Sequence, residues 1–376
     1  MKYRKFGHLD IQTSILGFGA MRLPTIGHEE TNIDRAQAIA MIHYAFDHGV
    51  NYIDTAYGYH GGQSEVLVGE ALQGGYRQKT YLATKLPVWL AQHSQDFDRL
   101  LHEQLERLKT DWIDFYLLHA LTRERWYQVR DLGVLEWAEK KIAQGVIRSL
   151  GFSFHDHLPA FKEIVDAYHW DFCQIQYNYM DQDYQAGKEG LLYAAPKMAV
   201  IVMEPLRGGR LTNPPDPVRE ILAQAPAPRS YTEWGLLWVW NHKEVTLLLS
   251  GMSSLAQVKE NIAIAAKAEV GMLTQTELEL IERVKEAYLK IKAIDCTECR
   301  YCTPCPQGVD IPRNFALYNE GVRYNFNFEA PRWAYHHEMP PEERAENCIQ
   351  CGTCEEKCPQ NLPIMELLRK AKEVLQ

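Results

Sequence analysis

Two sets of side chains in this 376-residue chain have the types and spacing to do chemistry. Cys296, Cys299, Cys302 and Cys305 precede Pro306, and Cys348, Cys351, Cys354 and Cys358 precede Pro359. Only Cys173, of nine cysteines, lies elsewhere, inside a strand-like run where it reads as a small buried apolar residue. Eight clustered thiols can form disulfides, zinc sites or iron–sulfur sites. The start, MKYRKFGHLD, has basic residues with no apolar stretch behind them, so a cytoplasmic, reducing location is expected. That disfavours disulfides. The second set is Asp54, Tyr59, Lys85 and His119, each at or just beyond the end of a strand-like segment. A phenol beside an ammonium can serve as a general acid, and the ammonium is expected to pull the phenol below its ordinary pKa. A carboxylate would hold the ammonium, and an imidazole would hydrogen-bond a carbonyl oxygen. Singly, Asp54 reads as a helix cap, Lys85 as a surface cation and His119 as a core histidine. At successive strand ends they read as one site.

The elements that must position these residues alternate. Short apolar strands are expected at 15–18, 50–53, 81–84, 112–118, 147–152, 172–176, 199–203 and 245–249. Helical periodicity covers 34–48, 64–72, the stretch holding Phe97 to Leu108, 134–144, 158–168, 187–195, 229–241 and 254–267. Eight such repeats over about 250 residues predict a (β/α)8 TIM barrel, whose active site is built at the C-terminal ends of its strands. An open doubly wound sheet would want G-x-G-x-x-G after its first strand, and Gly17-Phe18-Gly19 supplies only half of it. One more helix is expected at 274–292, and a Pro-rich loop around Asn213–Pro228. The barrel domain is placed at 1–292 and an α-rich cysteine domain at 293–376. An aromatic-rich stretch from Phe315 to Tyr335 reads as packing between the two.

Composition narrows the classes further. Hydrophobic residues make up 46% and charged residues 24%, which excludes wholesale disorder. The net charge is −9 with no basic stripe, so no nucleic-acid partner is expected. No apolar run approaches a membrane span, so no membrane partner is expected either.

The segment NYIDTAYGYHGGQSEVLVGEAL resembles the signature of the aldo-keto reductases, as do ATK at Ala83–Lys85 and DFYLLH at Asp114–His119. The similarity runs from about residue 3 to about residue 268. The resemblance implies a catalytic tetrad of Asp54, Tyr59, Lys85 and His119, with Tyr57 set aside by its spacing. It also implies NADP(H), with NAD the alternative, and a small carbonyl or alcohol substrate. Cofactor contacts carry over to Gly19, Met21, Ser153, Gln176, Met203, Pro205, Leu206, Gly208, Ser253, Gln257, Glu260 and Asn261. Phe154 and Met203 replace the family's common Asn and Tyr. The adenosine-phosphate segment lacks the Arg or Lys of many NADP-binding members, and Lys259 and Arg207 are the candidate substitutes.

CIQCGTCEEKCP matches the C-x2-C-x2-C-x3-C-P run of bacterial two-cluster ferredoxins, and CTECRYCTPCP differs by one residue. The resemblance implies a ferredoxin-like domain with two [4Fe–4S] clusters and exchanged fourth ligands. Cys296, Cys299 and Cys302 would join Cys358, and Cys348, Cys351 and Cys354 would join Cys305. A pair of four-cysteine zinc sites is the rival; zinc ribbons usually use two separated C-x2-C pairs. The whole chain then reads as a carbonyl-reducing oxidoreductase whose clusters exchange electrons with a partner protein or sense redox state. The alternatives are a non-catalytic nicotinamide or redox sensor, and an electron-transfer subunit with the barrel as scaffold.

Overall fold

A computed structural model describes residues 1–27 and 29–376. By contacts the chain divides into two compact units: Met1–Gly208 with Thr232–Thr274, and Gly209–Tyr231 with Gln275–Gln376. This differs from the boundary expected at residue 292. The helix at 275–290 and the segment after the seventh barrel strand both group with the cysteine-rich tail. Among the described residues no helix is long and apolar enough to cross a membrane.

The first unit opens with an antiparallel hairpin, β1 (Tyr3–Lys5) and β2 (Gln12–Ser14), pairing Tyr3 with Ser14. It was not expected from the sequence, because three-residue strands carry too short a pattern. The barrel follows: β3 (Leu16–Gly19), α1 (Arg35–Asp47), β4 (Tyr52–Asp54), α2 (Gln63–Ala71), β5 (Tyr81–Leu86), α3 (Gln95–Leu108), β6 (Ile113–Leu121), α4 (Arg123–Asp131), α5 (Val134–Ala143), β7 (Ile147–Phe154), α6 (Leu158–Ala167), β8 (Phe172–Gln176), α7 (Gly187–Ala194), β9 (Ala199–Met203), then α8 (Asp216–Leu222), α9 (Tyr231–Trp240), β10 (Leu247–Gly251) and α10 (Leu255–Lys267). Strands β3 to β10 close into a cylinder in sequence order, every pair parallel, with β10 returning to β3 through Leu248 opposite Leu16. This is the TIM barrel. Helix α8 lies in the second unit, within the segment expected to be loop.

The barrel's lower end is plugged from the hairpin loop. Phe6 is fully buried, its ring 4.4 Å from that of Phe115 and 5.6 Å from that of Phe172. Tyr52, Leu117, Ile201 and Leu247 complete that apolar layer. Full burial of such rings is worth about 2–3 kcal/mol each. Closing one end with apolar bulk leaves polar side chains to the other. There β6 runs three residues past its expected end, with an irregularity between Leu118 and Leu121 where Ala120 takes a left-handed φ of 53°.

The second unit contains α8, α11 (Gln275–Lys290), α12 (Ile311–Arg323), α13 (Glu329–His337), α14 (Thr353–Glu356) and α15 (Ile364–Leu375). Its core holds Ile294, Val309, Ile311, Phe315, Ala345, Ile364 and Leu368, against which six of the eight cysteines pack. Phe315, Tyr324, Phe328 and Tyr335 are buried within this unit, whereas Phe326 and Trp333 are exposed. The Tyr335 hydroxyl donates to Glu346 at 2.6 Å and accepts from the Ala345 amide at 3.0 Å. The segment after Gly208 is tied in by Arg210 to Glu320 at 2.5 Å, by Arg283 to Gln224 at 2.7 Å, and by an ion pair between Arg229 and Glu277.

Candidate active site and cluster ligands

At the C-terminal ends of β4, β5 and β6, four side chains converge. The Lys85 ammonium donates to Asp54 Oδ1 at 2.6 Å, to the Thr55 carbonyl at 2.8 Å and to the Tyr59 hydroxyl at 3.3 Å. His119 presents its ring edge-on to Tyr59, with centroids 6.1 Å apart. Tyr57 is not in this group: its hydroxyl donates to Glu103 at 2.6 Å and Arg107 covers its ring, both on α3.

The local backbone explains how Tyr59 reaches inward. It opens a single tight turn, Tyr59–Gly62, in which His60, Gly61 and Gly62 have φ of 53°, 61° and 89°. Two consecutive glycines bear most of that left-handed geometry at little steric cost. His60 is buried and locks the turn: Nδ1 donates to the Glu30 carbonyl at 2.7 Å, and Nε2 accepts from the Leu23 amide at 3.2 Å. Ser64 bridges the Thr55 hydroxyl at 2.8 Å and the Ala20 carbonyl at 3.0 Å. Behind Lys85 lies a network centred on the buried Glu65, Thr84 and Gln104. Glu65 accepts from Thr84 and from Gln104, each at 2.7 Å, and pairs with Arg107 at 3.3 Å. Gln104 also donates to the Lys85 carbonyl at 3.0 Å and accepts from Tyr116 at 2.6 Å. The Ser64-Glu65 pair stood in the quoted signature, but nothing in the sequence assigned it this supporting part.

Electrostatics here is a contest between burial and pairing. Burial lowers the Lys85 ammonium, but Asp54 and Tyr59 outweigh that and hold it above its ordinary value. Burial raises Asp54, against the pull of Lys85. Burial likewise raises Tyr59, with Lys85 opposing and Asp54 and Glu204 adding to the rise. The expected fall of the phenol's pKa is therefore corrected: desolvation penalises the phenolate more than one ammonium, shared with a carboxylate, can repay. His119 is lowered well below its ordinary value by burial, then by Lys85, His155 and Arg125, so the imidazole is neutral at pH 7. Its Nδ1 and Asp54 Oδ2 are buried without a hydrogen-bond partner among the described residues.

The remaining rim residues form an arc around the same mouth. Gly19 ends β3 opposite Asp54, and Gln176 ends β8 opposite Met203. Ser153 accepts from the Ala120 amide at 2.7 Å, and Gln176 donates to Asp181 at 2.8 Å. Phe154 packs on Phe161 in the helix layer, with ring centroids 5.0 Å apart, and so is turned out of the mouth. Met21 is exposed; Pro205 is buried; Leu206 lies against Gly235. Ser254 caps α10, while the Ser253 amide donates to Gln257 at 2.7 Å. Asn261 donates to Ser250 at 3.0 Å, and its Oδ1 is buried with no hydrogen-bond partner among the described residues. Of the two candidate substitute cations, Arg207 pairs with Asp181 at 3.3 Å, and Lys259 lies over the Tyr44 ring at 5.4 Å. The cation that does reach this arc is Arg22, which the sequence did not single out. Its stem runs 3.2–3.5 Å from where a Cβ on Gly251 would lie, and its Nη2 is 3.1 Å from the equivalent point on Gly208. Ser253 Oγ pins its carbonyl at 2.8 Å.

In the second unit two open cavities lie among the cysteines. One, of about 330 Å³, is lined by Cys296, Cys299, Cys302 and Cys358 with Ile311 and Phe315. The other, of about 390 Å³, is lined by Cys302, Cys305, Cys348, Cys351 and Cys354 with Leu368. The first thus gathers three cysteines of one motif with the last of the other, and the second does the converse with Cys302 added. Burial raises the thiols of Cys296 and Cys302 and pushes Cys354 up to about 11. An all-thiol donor set in an apolar shell fits iron–sulfur clusters.

Comparison with known proteins gives these arrangements their place. A family model described as the aldo/keto reductase family matches residues 15–286. The chain belongs to this family. A 4Fe-4S dicluster domain model matches residues 295–362, so this aldo-keto reductase carries an iron–sulfur domain at its C-terminal end. The reductase is 28% identical over 313 residues to an uncharacterized oxidoreductase, YqkF, of Bacillus subtilis (strain 168), covering 75% of this chain and 96% of that protein. It is 29% identical over 273 residues to the methylglyoxal reductase YeaE of Escherichia coli (strain K12), covering 68% and 91%. Among solved structures it resembles the holo form of aldo-keto reductase AKR11C1 from Bacillus halodurans, with a TM-score of 0.64 and 28% identity over 76% of this chain and 96% of that one.

Proposed function

We propose that this aldo-keto reductase reduces an aldehyde or ketone to an alcohol with NADP(H), NAD(H) being the alternative, and catalyses the reverse oxidation. The observation that carries the reading is the Lys85 ammonium, 2.6 Å from Asp54 and 3.3 Å from the Tyr59 hydroxyl at the barrel mouth. When bound, a reduced nicotinamide supplies the hydride, two electrons with one proton nucleus, to the carbonyl carbon. Tyr59 supplies the second proton to the carbonyl oxygen, so the C=O bond becomes CH–OH. A phenol raised by burial keeps its proton until the oxygen becomes basic. The nearby ammonium then stabilises the phenolate as it forms, and Asp54 keeps that ammonium in place. Neutral His119 offers an N–H to the carbonyl oxygen and adds no competing positive charge.

The residues present fit a dinucleotide. Ser153 and Gln176 stand where the family contacts the nicotinamide amide, and the partnerless Asn261 Oδ1 is a buried acceptor on the adenosine side. Arg22, laid along Gly251 and Gly208, supplies positive charge for the phosphates. Support for aldehyde substrates comes from two relatives named methylglyoxal reductases, one of them NADH-specific. The two cysteine cavities would hold two [4Fe–4S] clusters with the exchanged fourth ligands Cys358 and Cys305. Clusters pass single electrons; the domain would serve exchange with a partner protein or redox sensing. The test is anaerobic purification with iron and sulfide analysis, then an aldehyde panel with NADPH and NADH. Reduction of aldehydes that Tyr59→Phe abolishes supports the reading. Nicotinamide binding without turnover of any carbonyl overturns it in favour of a sensor.

A further inference from the structure

Helix α4 carries Arg123, Arg125 and Arg130, and they meet different fates. Arg123 pairs with Glu163 at 3.1 Å and Arg130 with Asp131 at 2.7 Å. Arg125, half-buried, has no carboxylate partner among the described residues. Its Nη1 donates to the Ala120 carbonyl at 2.9 Å, and its guanidinium lies 5.4 Å from the centre of the Trp89 ring. The Trp89 ring is in turn 5.0 Å from that of His119. Ala120, next to His119 in sequence, is fixed on both sides: its amide donates to Ser153 and its carbonyl accepts from Arg125. The guanidinium is therefore held at Ala120, the left-handed residue of β6, at the edge of the candidate active site. Nε and Nη2 make no hydrogen bond among the described residues, leaving most of a five-donor fork for a ligand.

We propose that Arg125 is an anion-binding residue of the substrate site, and that the preferred substrates are carbonyl compounds carrying a carboxylate or phosphate a few atoms from the carbonyl. This rests on the carbonyl-reducing reading above and adds a substrate class to it. Three observations support it. The first is geometric: Tyr59, His119, the Trp89 ring and the Arg125 guanidinium follow one another at 6.1, 5.0 and 5.4 Å, so an anion a few atoms from a carbonyl held at Tyr59 and His119 would come within reach of Arg125. The second is electrostatic. Lys85 is paired with Asp54 and His119 is uncharged, while Arg125, with no carboxylate partner among the described residues, sets a positive charge close enough to act on His119. A half-buried guanidinium has lost part of its hydration, and a bidentate anion repays that better than one backbone carbonyl does. The third is contrast: a chain with net charge −9 supplied carboxylates to the two neighbouring arginines of α4 and not to this one.

The experiment compares kcat/KM in matched pairs for the full-length holoprotein: 4-carboxybenzaldehyde against methyl 4-formylbenzoate, and glyceraldehyde 3-phosphate against glyceraldehyde. Arg125→Met is expected to lower the charged-to-neutral ratio about 10- to 100-fold, the worth of a charge-assisted hydrogen bond, mainly through KM. Arg125→Lys should retain part of the ratio. A change confined to the carboxylate pair identifies a carboxylate site, and one confined to the phosphate pair a phosphate site. Ratios unchanged within twofold in both pairs overturn the proposal. Arg125→Gln, which keeps a planar donor for Ala120, replaces Arg125→Met if the latter does not fold. Calorimetric titration with benzoate and phenyl phosphate gives a readout independent of turnover. If no aldehyde is reduced but either anion binds the parent protein and not the variant, the subsite stands and the carbonyl-reducing reading falls. Equal binding of both anions to parent and variant, or to neither, overturns the subsite.

Discussion

The two chemical regions of this molecule are organised in opposite ways. At the barrel mouth the protein answers its own charges. Lys85 has three acceptors, Glu65 has three donors, and His60 is bound through both ring nitrogens. Among the cysteines the surroundings are chiefly Ile311, Phe315, Ile364 and Leu368, and burial raises several of the thiols. The mouth is preorganised by the chain alone, whereas at Cys296, Cys302 and Cys354 burial works against the thiolate. Hydride chemistry requires fixed dipoles before the substrate arrives; cluster assembly requires ligands whose free-energy gain comes from the metal.

Changes confined to one region sharpen this contrast. The largest effect is expected from Tyr59→Phe, which should lower kcat for carbonyl reduction by about 10²- to 10⁴-fold while leaving the visible cluster absorbance intact. Parallel loss of both signals would mean that the regions are not separable. Glu65→Ala strands Thr84, Gln104 and Arg107, and should cost about 3–5 kcal/mol of barrel stability by urea unfolding. A cost below about 1 kcal/mol would show that the network behind Lys85 is incidental. In the tail, Cys358→Ser and Cys296→Ser should each remove about half of the iron and leave the same residual paramagnetic signal on reduction. Cys305→Ser should leave the complementary signal; if it instead matches Cys358→Ser, the ligand exchange is wrong. Arg22→Met should raise KM for the nicotinamide about 5- to 10-fold with little change in kcat, measured at saturating aldehyde.

The smallest expected effect concerns pH. His119 is depressed in the folded state, so below its unfolded pKa of about 6.5 the unfolded chain binds a proton that the folded one refuses. Stability contributed by the neutral ring is present above that value and is lost as pH falls beneath it. The urea midpoint should therefore drop more between pH 7.5 and 5 in the parent protein than in His119→Asn. Identical slopes would indicate that the ring is solvated.

The strand–helix alternation made the barrel legible because each strand is a short apolar run bounded by a turn. The elements missed had no such signal. Three residues of β1 cannot show a period, α4 buries only Trp126 and Val129, and α8 sits among prolines. Side-chain types at strand ends pointed to Asp54, Tyr59, Lys85 and His119, yet the direction of the Tyr59 shift was misjudged. Spacing reports which charges are near, while burial is a property of the folded surroundings. Arg22 and Arg125 were invisible for a related reason. Each acquires its place from residues distant in sequence: Gly208 and Gly251 for the first, Trp89 for the second.

The stretch Gly209–Tyr231 interrupts the barrel's connectivity yet groups with the tail, its helix α8 packing on α11. Nature's cut between the two modules is thus not a single scissile point. A stop codon ahead of Gln275 would strip α11 and the cysteine helices from this loop, uncovering the face of α8 that packs on α11 and removing the carboxylates of Glu320 and Glu277 from Arg210 and Arg229. A soluble free-standing reductase would need that loop shortened in the same gene, and evolution joining the modules would have had to remodel two places at once.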